Sequence, residues 1–498
     1  MTTESGTVGH RYVYAALASA SDMEQWSTRL GFVFAAIGAA VGLGNIWRFP
    51  AVVGQNGGGA YLVPYLIAAV AFAVPLMILE ISVGRSLKAD VVTACRHVRS
   101  EFEIVGWLIG GSVLAVLSYY LVITGWVLAF AAFSVTGSGT SFGSFTGSYL
   151  PIVTFLISTI AVGAIVSLGV QGGIERMANV LIPLTFVVLV SLAAYVTTLS
   201  GFGAGARFFL TPDGSVLSDP MIWSAAFGQV FFSFSVGMGV MLTYGSYLDM
   251  EANVPRSAIT IAFADLVVAM LAGIIIFAIV FTVGAEPTAG TELAFSTLPA
   301  AFEAMPFGSV VAVCFFGLLF VAAIAPSVSM LEVGVAGAMR TTGWSRRRTS
   351  VAMTGVIALA GLPSALSYSA VELSVFGRPF LDVLDSTVGT LGLPLGAIAL
   401  VVVFAWMQEE ATLREQIGNS IVLPLVKYVV PVVLIVVTTL RLAAGVDPIA
   451  WRRLPDVTPL TSLDATMGTA LIALGLAVVG WLVHRWRKPR RHPTTRPT

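Results

Sequence analysis

Twelve stretches of this chain run almost wholly apolar for 20 residues or more, and a lipid environment leaves such stretches few options. In hydrocarbon no water meets a backbone N–H or C=O, so each stretch must satisfy its own backbone as a helix of about 20 residues. The stretches are 30–54, 60–84, 105–133, 150–169, 176–199, 220–247, 257–284, 306–338, 349–369, 381–406, 421–443 and 466–487. Charged residues are 10% of the 498, against about 25% in a soluble domain. The fold class is therefore an all-α polytopic membrane protein, not a soluble enzyme with an anchor. The formal net charge is zero, which points to no strongly acidic or basic partner. With no soluble module to bind nucleic acid, the basic run 485–491 reads as a topology anchor. Cys95 and Cys314 stand in separate segments and suggest no disulfide framework. The first thirty residues are polar and mixed, unlike a cleavable signal peptide.

Arginine and lysine set the expected orientation. They cluster after the second stretch (Arg85, Lys88, Arg96, Arg99) and the eighth (Arg340, Arg346, Arg347, Arg348). They return at Arg414 and at the tail (Arg485, Arg487, Lys488, Arg490, Arg491). Residues 134–149 carry no charge, 285–304 only glutamates, and 444–465 mixed signs. Both termini are expected in the cytoplasm and the protein in the plasma membrane. The expected organisation is a cytoplasmic segment 1–25, one transporter domain 26–487 and a basic tail 488–498. Within the domain, two repeats cover about 26–200 and 218–406, followed by peripheral helices at about 421–487.

Two stretches are interrupted. Residues 29–50, RLGFVFAAIGAAVGLGNIWRFP, carry Gly38, Gly42, Gly44, Asn45, Arg48 and Pro50 from their middle onward. Residues 228–239, GQVFFSFSVGMG, put three glycines and two serines inside the sixth stretch. Each interior glycine costs a helix about 1 kcal/mol relative to alanine. Small residues in one stretch can mean close helix packing. Two interruptions five helices apart instead fit corresponding positions of two five-helix repeats, the pattern of a transporter with a midplane binding site.

At these motifs the sequence resembles the neurotransmitter:sodium symporter family, that of the bacterial leucine transporter. The resemblance rests on 26–50, on NGGGAYLVPY at 56–65 and PLMILEISVGR at 75–85. It continues in SYY at 118–120, GGIER at 172–176 and GQVFFSFSVGMGVMLTYGSY at 228–247. It implies ten core helices in two inverted five-helix repeats plus two peripheral helices, with the first and sixth unwound at the midplane. It implies sodium as the coupling ion, an amino acid as substrate and no organic cofactor. The physical chemistry agrees, because unwound segments offer N–H groups to a carboxylate and carbonyls to an ammonium.

By motif position, the resemblance implies that the Leu43 and Gly44 N–H groups and the Tyr120 hydroxyl hold the substrate carboxylate. The carbonyls of Ala40, Phe232 and Ser233, with the Ser235 hydroxyl, would hold the ammonium. Val116, Phe232, Met238 and Met330 would line an apolar side-chain pocket. Monoamine members carry aspartate where this chain has Gly42, so the substrate has to bring its own carboxylate. The first sodium site would use Asn45, Ser233, Asp265 and the Ala40 carbonyl, hard oxygen ligands for a hard cation. Asp265 stands in the apolar run IAFADLVVAML, where a carboxylate is expensive and marks function. It is expected to supply the charge that chloride provides in animal members, making transport chloride-independent.

Three features depart from the family. The eighth helix has Ala325 and Pro326 where the second sodium site usually has two hydroxyls. Only carbonyls of Gly38, Val41 and Ala322 remain, so that site is expected to be degraded. The usual inner-gate arginine and aspartate are Met23 and Arg340, with Glu24 and Arg340 as a candidate charge-reversed pair. The outer gate is expected intact, with Arg48 and Asp385 paired and Gln229 and Asp382 nearby, and Trp26 plugs the cytoplasmic path. A proton-coupled or non-transporting sensor of the same fold is the alternative. An intramembrane enzyme is disfavoured, since His10, His97, His484 and His492 all fall near or outside span ends.

Overall fold

The computed structural model describes residues 24–287, 293–418 and 421–443. Met23, the 444–465 loop, the twelfth stretch and the basic tail lie outside the described residues. Nine helices among the described residues are long and apolar enough to cross a membrane. The first stretch forms a tenth span as a pair, Arg29–Ala40 and Gly44–Gln55, bent by 48°. The sixth is also in two pieces, Pro220–Ser233 and Val240–Ser246. Both interruptions read from the glycines are therefore real breaks.

Local signals set the ends of the spans. Pro151, Pro220 and Pro255 sit in first turns, where a missing N–H costs nothing. Thr28 and Asn253 accept N–H bonds from Gly31 and Arg256 and cap the first and seventh spans. Gly137, Gly284 and Gly343 end the third, seventh and eighth in the left-handed region that favours glycine. The observed third and eighth spans, Ser100–Thr136 and Gly308–Thr342, extend past their apolar stretches.

Packing divides the spans into two groups. The third lies along the eighth and the fourth, and the fourth along the ninth. In the other group the second span holds both pieces of the sixth, and the seventh packs on both pieces of the first. Large apolar side chains on the fourth, fifth and ninth spans, such as Ile160, Val187 and Leu359, face outward as lipid requires. The polar side chains Asn45, Gln229, Ser233 and Asp265 are buried within this second group, on the first, sixth and seventh spans.

Candidate functional site

The first span loses its helix at 41–43, where Val41 turns to extended backbone. Gly42 is needed there for space. A Cβ on it would lie 2.8 Å from Cγ of Pro326 and 3.0 Å from the Tyr120 hydroxyl. The sixth span breaks over 234–239, with positive φ at Ser235 (49°), Gly237 (80°) and Gly239 (70°). Glu80 of the second span, fully buried, accepts the Gly237 N–H and braces this break. A carboxylate there answers a backbone group that would otherwise be orphaned in an apolar interior.

The breaks meet at a polar cluster. Asn45 Nδ2 donates to Ser233 Oγ at 2.8 Å and to Asp265 Oδ1 at 2.7 Å. Ser233 Oγ donates to Asp265 Oδ2 at 2.9 Å. Asn45 Oδ1 accepts the Gly42 N–H at 3.1 Å. Three side chains expected for one ion, from three spans, are thus within hydrogen-bond distance of each other. Beside them lies a small pocket lined by Ala39, Ala40, Gly42, Gly44, Val116, Tyr120, Phe232, Ser235, Met238, Pro326 and Met330. The expected side-chain pocket, Val116, Phe232, Met238 and Met330, is in that lining. The Leu43 N–H points at the Tyr120 hydroxyl, 3.4 Å away. Ser235 Oγ donates to the Ala39 carbonyl at 2.7 Å, at the end of the first half-helix.

A second, larger cavity is lined by Arg48, Asp385, Trp47, Leu43 and others. Tyr120 and Phe232 line both cavities and so form the partition between them. The Arg48 guanidinium stacks on the Phe232 ring, 4.7 Å from its centroid. Gln229 Nε2 donates to the Gly44 carbonyl at 2.7 Å. Asp382, expected near the outer pair, accepts the Tyr368 hydroxyl at 3.0 Å.

At the position expected for a second ion the eighth span does face the first. Ala325 Cβ and Pro326 Cγ stand 3.1 and 2.8 Å from Cβ positions built on Gly38 and Gly42. The neighbouring hydroxyls turn onto their own helix, Ser327 to the Ala323 carbonyl and Ser329 to the Pro326 carbonyl. Pro326 has no N–H, so the Ala322 carbonyl loses its helical partner. Among Gly38, Val41 and Ala322 only backbone oxygens are offered.

The opposite end is closed by Trp26. Its Nε1 donates to the Tyr244 carbonyl at 3.0 Å, and its ring packs edge-on to Tyr244 and Tyr247. Here the expected Glu24–Arg340 pair is corrected. Glu24 pairs with Arg346 at 2.6 Å, and Arg340 reaches Asp90 at 3.3 Å. The reason is a carboxylate that the motifs do not single out. Glu332, fully buried, takes both Nη groups of Arg346 at 2.7 and 2.8 Å and the Tyr247 hydroxyl at 2.5 Å. An uncompensated buried carboxylate is costly, so Arg346 is drawn inward and presents its outer edge to Glu24. Burial pushes the Glu24 carboxyl above its ordinary range, against the pull of Arg346. The signal that could have found Glu332 is a glutamate in the apolar run VSMLEVGV, of the same kind as Asp265.

Comparison with known proteins accounts for this arrangement. Residues 23–141 and 145–449 match the family described as the sodium:neurotransmitter symporter family. The sodium-dependent transporter YhdH of Bacillus subtilis is 34% identical over 410 residues, covering 80% of this chain and 90% of that protein. Bovine sodium- and chloride-dependent GABA transporter 2 is 27% identical over 357 residues, 61% of this chain and 59% of that protein. The crystal structure of MhsT in complex with L-phenylalanine superposes with a TM-score of 0.77 at 35% identity, covering 84% of this chain and 99% of that one. Transporters, not enzymes, share this sequence and this fold. With 34% identity to the YhdH transporter and a family match over most of its length, the chain belongs to the sodium:neurotransmitter symporter family.

Proposed function

We propose that this protein is a sodium-coupled symporter that imports an apolar amino acid by alternating access, without chloride. The observation that carries the reading is the Asn45–Ser233–Asp265 cluster set against an apolar cavity at the junction of two broken spans. Sodium binds the side-chain oxygens of Asn45, Ser233 and Asp265 with the Ala40 carbonyl. Turning the Asn45 amide over presents Oδ1 to the ion and frees the Gly42 N–H, so ion and substrate sites are mechanically joined. Leu43 N–H, Gly44 N–H and the Tyr120 hydroxyl hold the carboxylate. The carbonyls of Ala40, Phe232 and Ser233, with Ser235, hold the ammonium.

The cavity lining carries no charged side chain, which favours an uncharged side chain on the substrate. MhsT, crystallised with L-phenylalanine, makes that amino acid the first ligand to test. Asp265 gives the ion site a fixed negative charge and removes the need for a mobile anion. Ala325 and Pro326 leave the second sodium site with carbonyls alone. Arg48 and Asp385 gate the outer cavity, with Gln229 at its base. Trp26 with the Glu24–Arg346–Glu332 clasp closes the cytoplasmic end. The protein sits in the plasma membrane with both termini cytoplasmic. The test is uptake of labelled L-phenylalanine into proteoliposomes under an inward sodium gradient. Uptake that ignores the sodium gradient sinks the reading, and uptake that instead follows a proton gradient establishes the proton-coupled alternative.

A further inference from the structure

The half-helix Arg29–Ala40 is joined to the rest of its span only through the break at 41–43. Its other end is held in an unusual way. Glu175, 2% exposed, sends its carboxylate into the first turn of the half-helix. There it accepts the Ser27 N–H at 2.8 Å, the Ser27 hydroxyl, and the Thr28 hydroxyl at 3.2 Å. The approach is so close that a Cβ on Gly31 would lie 1.9 Å from Glu175 Oε1. The same short segment, Val170–Glu175, holds the preceding residues too. The Val170 N–H donates to Glu24 at 3.1 Å, and Gln171 Nε2 to the Gln25 carbonyl at 2.8 Å.

We infer that Glu175 is the latch of the cytoplasmic gate: it positions the half-helix Arg29–Ala40 in its closed seat and releases it when the path opens inward. The argument turns on the kind of contact. Along its length the half-helix rests on apolar packing, with Phe32, Val33, Ala36 and Ile37 buried. Its entry is held differently, by hydrogen bonds to one carboxylate, and water in an opening path supplies replacements, so this end is the one released at small net cost. Closing restores charge-assisted bonds at a helix N-terminus, where a negative charge is favoured. Trp26 packs its ring 5.9 Å from that of Phe32 in the half-helix, an apolar contact. Glu175 supplies the polar hold, through Ser27 and Thr28. The inference rests on the alternating-access reading, since a latch has meaning only if the half-helix moves.

The test is hydrogen exchange by mass spectrometry on the full-length protein in nanodiscs with sodium present, which requires no knowledge of the substrate. Glu175→Gln is expected to speed exchange in peptides covering 24–40 by roughly tenfold, the loss of one charge-assisted hydrogen bond. Peptides of the third and eighth spans should stay unchanged. Ser27→Ala should act in the same direction, Ser27→Thr should behave as the native protein, and the double variant Ser27→Ala/Glu175→Gln should be no faster than Glu175→Gln alone. Gly31→Ala, which evicts the carboxylate, should reproduce Glu175→Gln. Unchanged exchange at 24–40 overturns the inference. So does an equal rise in the third and eighth spans, which would make Glu175 a general structural residue. A native protein that fails to transport while these exchange differences hold would refute the transport reading alone and leave Glu175 as the residue that seats the half-helix.

Discussion

At the scale of single residues, the site works through atoms whose neighbours leave them no alternative. The Tyr120 hydroxyl faces both the cavity and the Leu43 N–H. Tyr120→Phe should weaken amino acid binding by about 1–3 kcal/mol, the cost of unpairing a charged group, as read by equilibrium binding of labelled ligand. Gly42→Asp should abolish binding, because the added side chain meets Pro326 and Tyr120 and sets a second negative charge beside the substrate carboxylate. Asp265 takes hydrogen bonds from Asn45 and Ser233. Native uptake should be equal in chloride and gluconate, whereas Asp265→Asn should either lose transport or become stimulated by chloride. Strong chloride dependence of the native protein would refute the charge argument.

Two elements decide coupling and closure. Along the eighth span, Ala325 and Pro326 press against Gly38 and Gly42, and the hydroxyls of Ser327 and Ser329 turn onto their own helix. Sodium activation of uptake at clamped membrane potential should therefore have a Hill coefficient near one. Installing hydroxyls by Ala325→Thr with Pro326→Ser should raise it toward two. A native coefficient near two would show that backbone carbonyls and water suffice for a second ion. Further along the same helix, Glu332 is fully buried and neutralised by Arg346. Arg346→Met should destabilise the fold by about 3–5 kcal/mol by stranding that carboxylate. Adding Glu332→Gln should recover most of the loss, measured as thermal stability in detergent. Destabilisation by Arg346→Met that the second change leaves untouched would mean the guanidinium matters for packing alone.

For the whole molecule, the apolar stretches, the glycine-rich interruptions and the buried-charge signal of Asp265 are legible in the amino-acid sequence. Each is a local violation of what lipid permits, and local violations are visible in a linear text. The spans and both breaks follow from this, as does the family. The partners of charged groups at the span ends do not. Glu24 meets Arg346 because Glu332, 14 positions before that arginine, has already drawn it inward. Motif position suggests Arg340, which turns instead to Asp90 at the cap of a different helix. Glu175 lies 148 residues from Ser27, and only the packing of the fifth span on the first half-helix brings them together. Backbone satisfaction in hydrocarbon is a short-range demand, met or failed within one turn, so sequence alone determined where helices run and where they break. Pairing of buried charges is a long-range choice among several carboxylates and guanidiniums, and only the tertiary structure, by fixing which of them lose water, decided it.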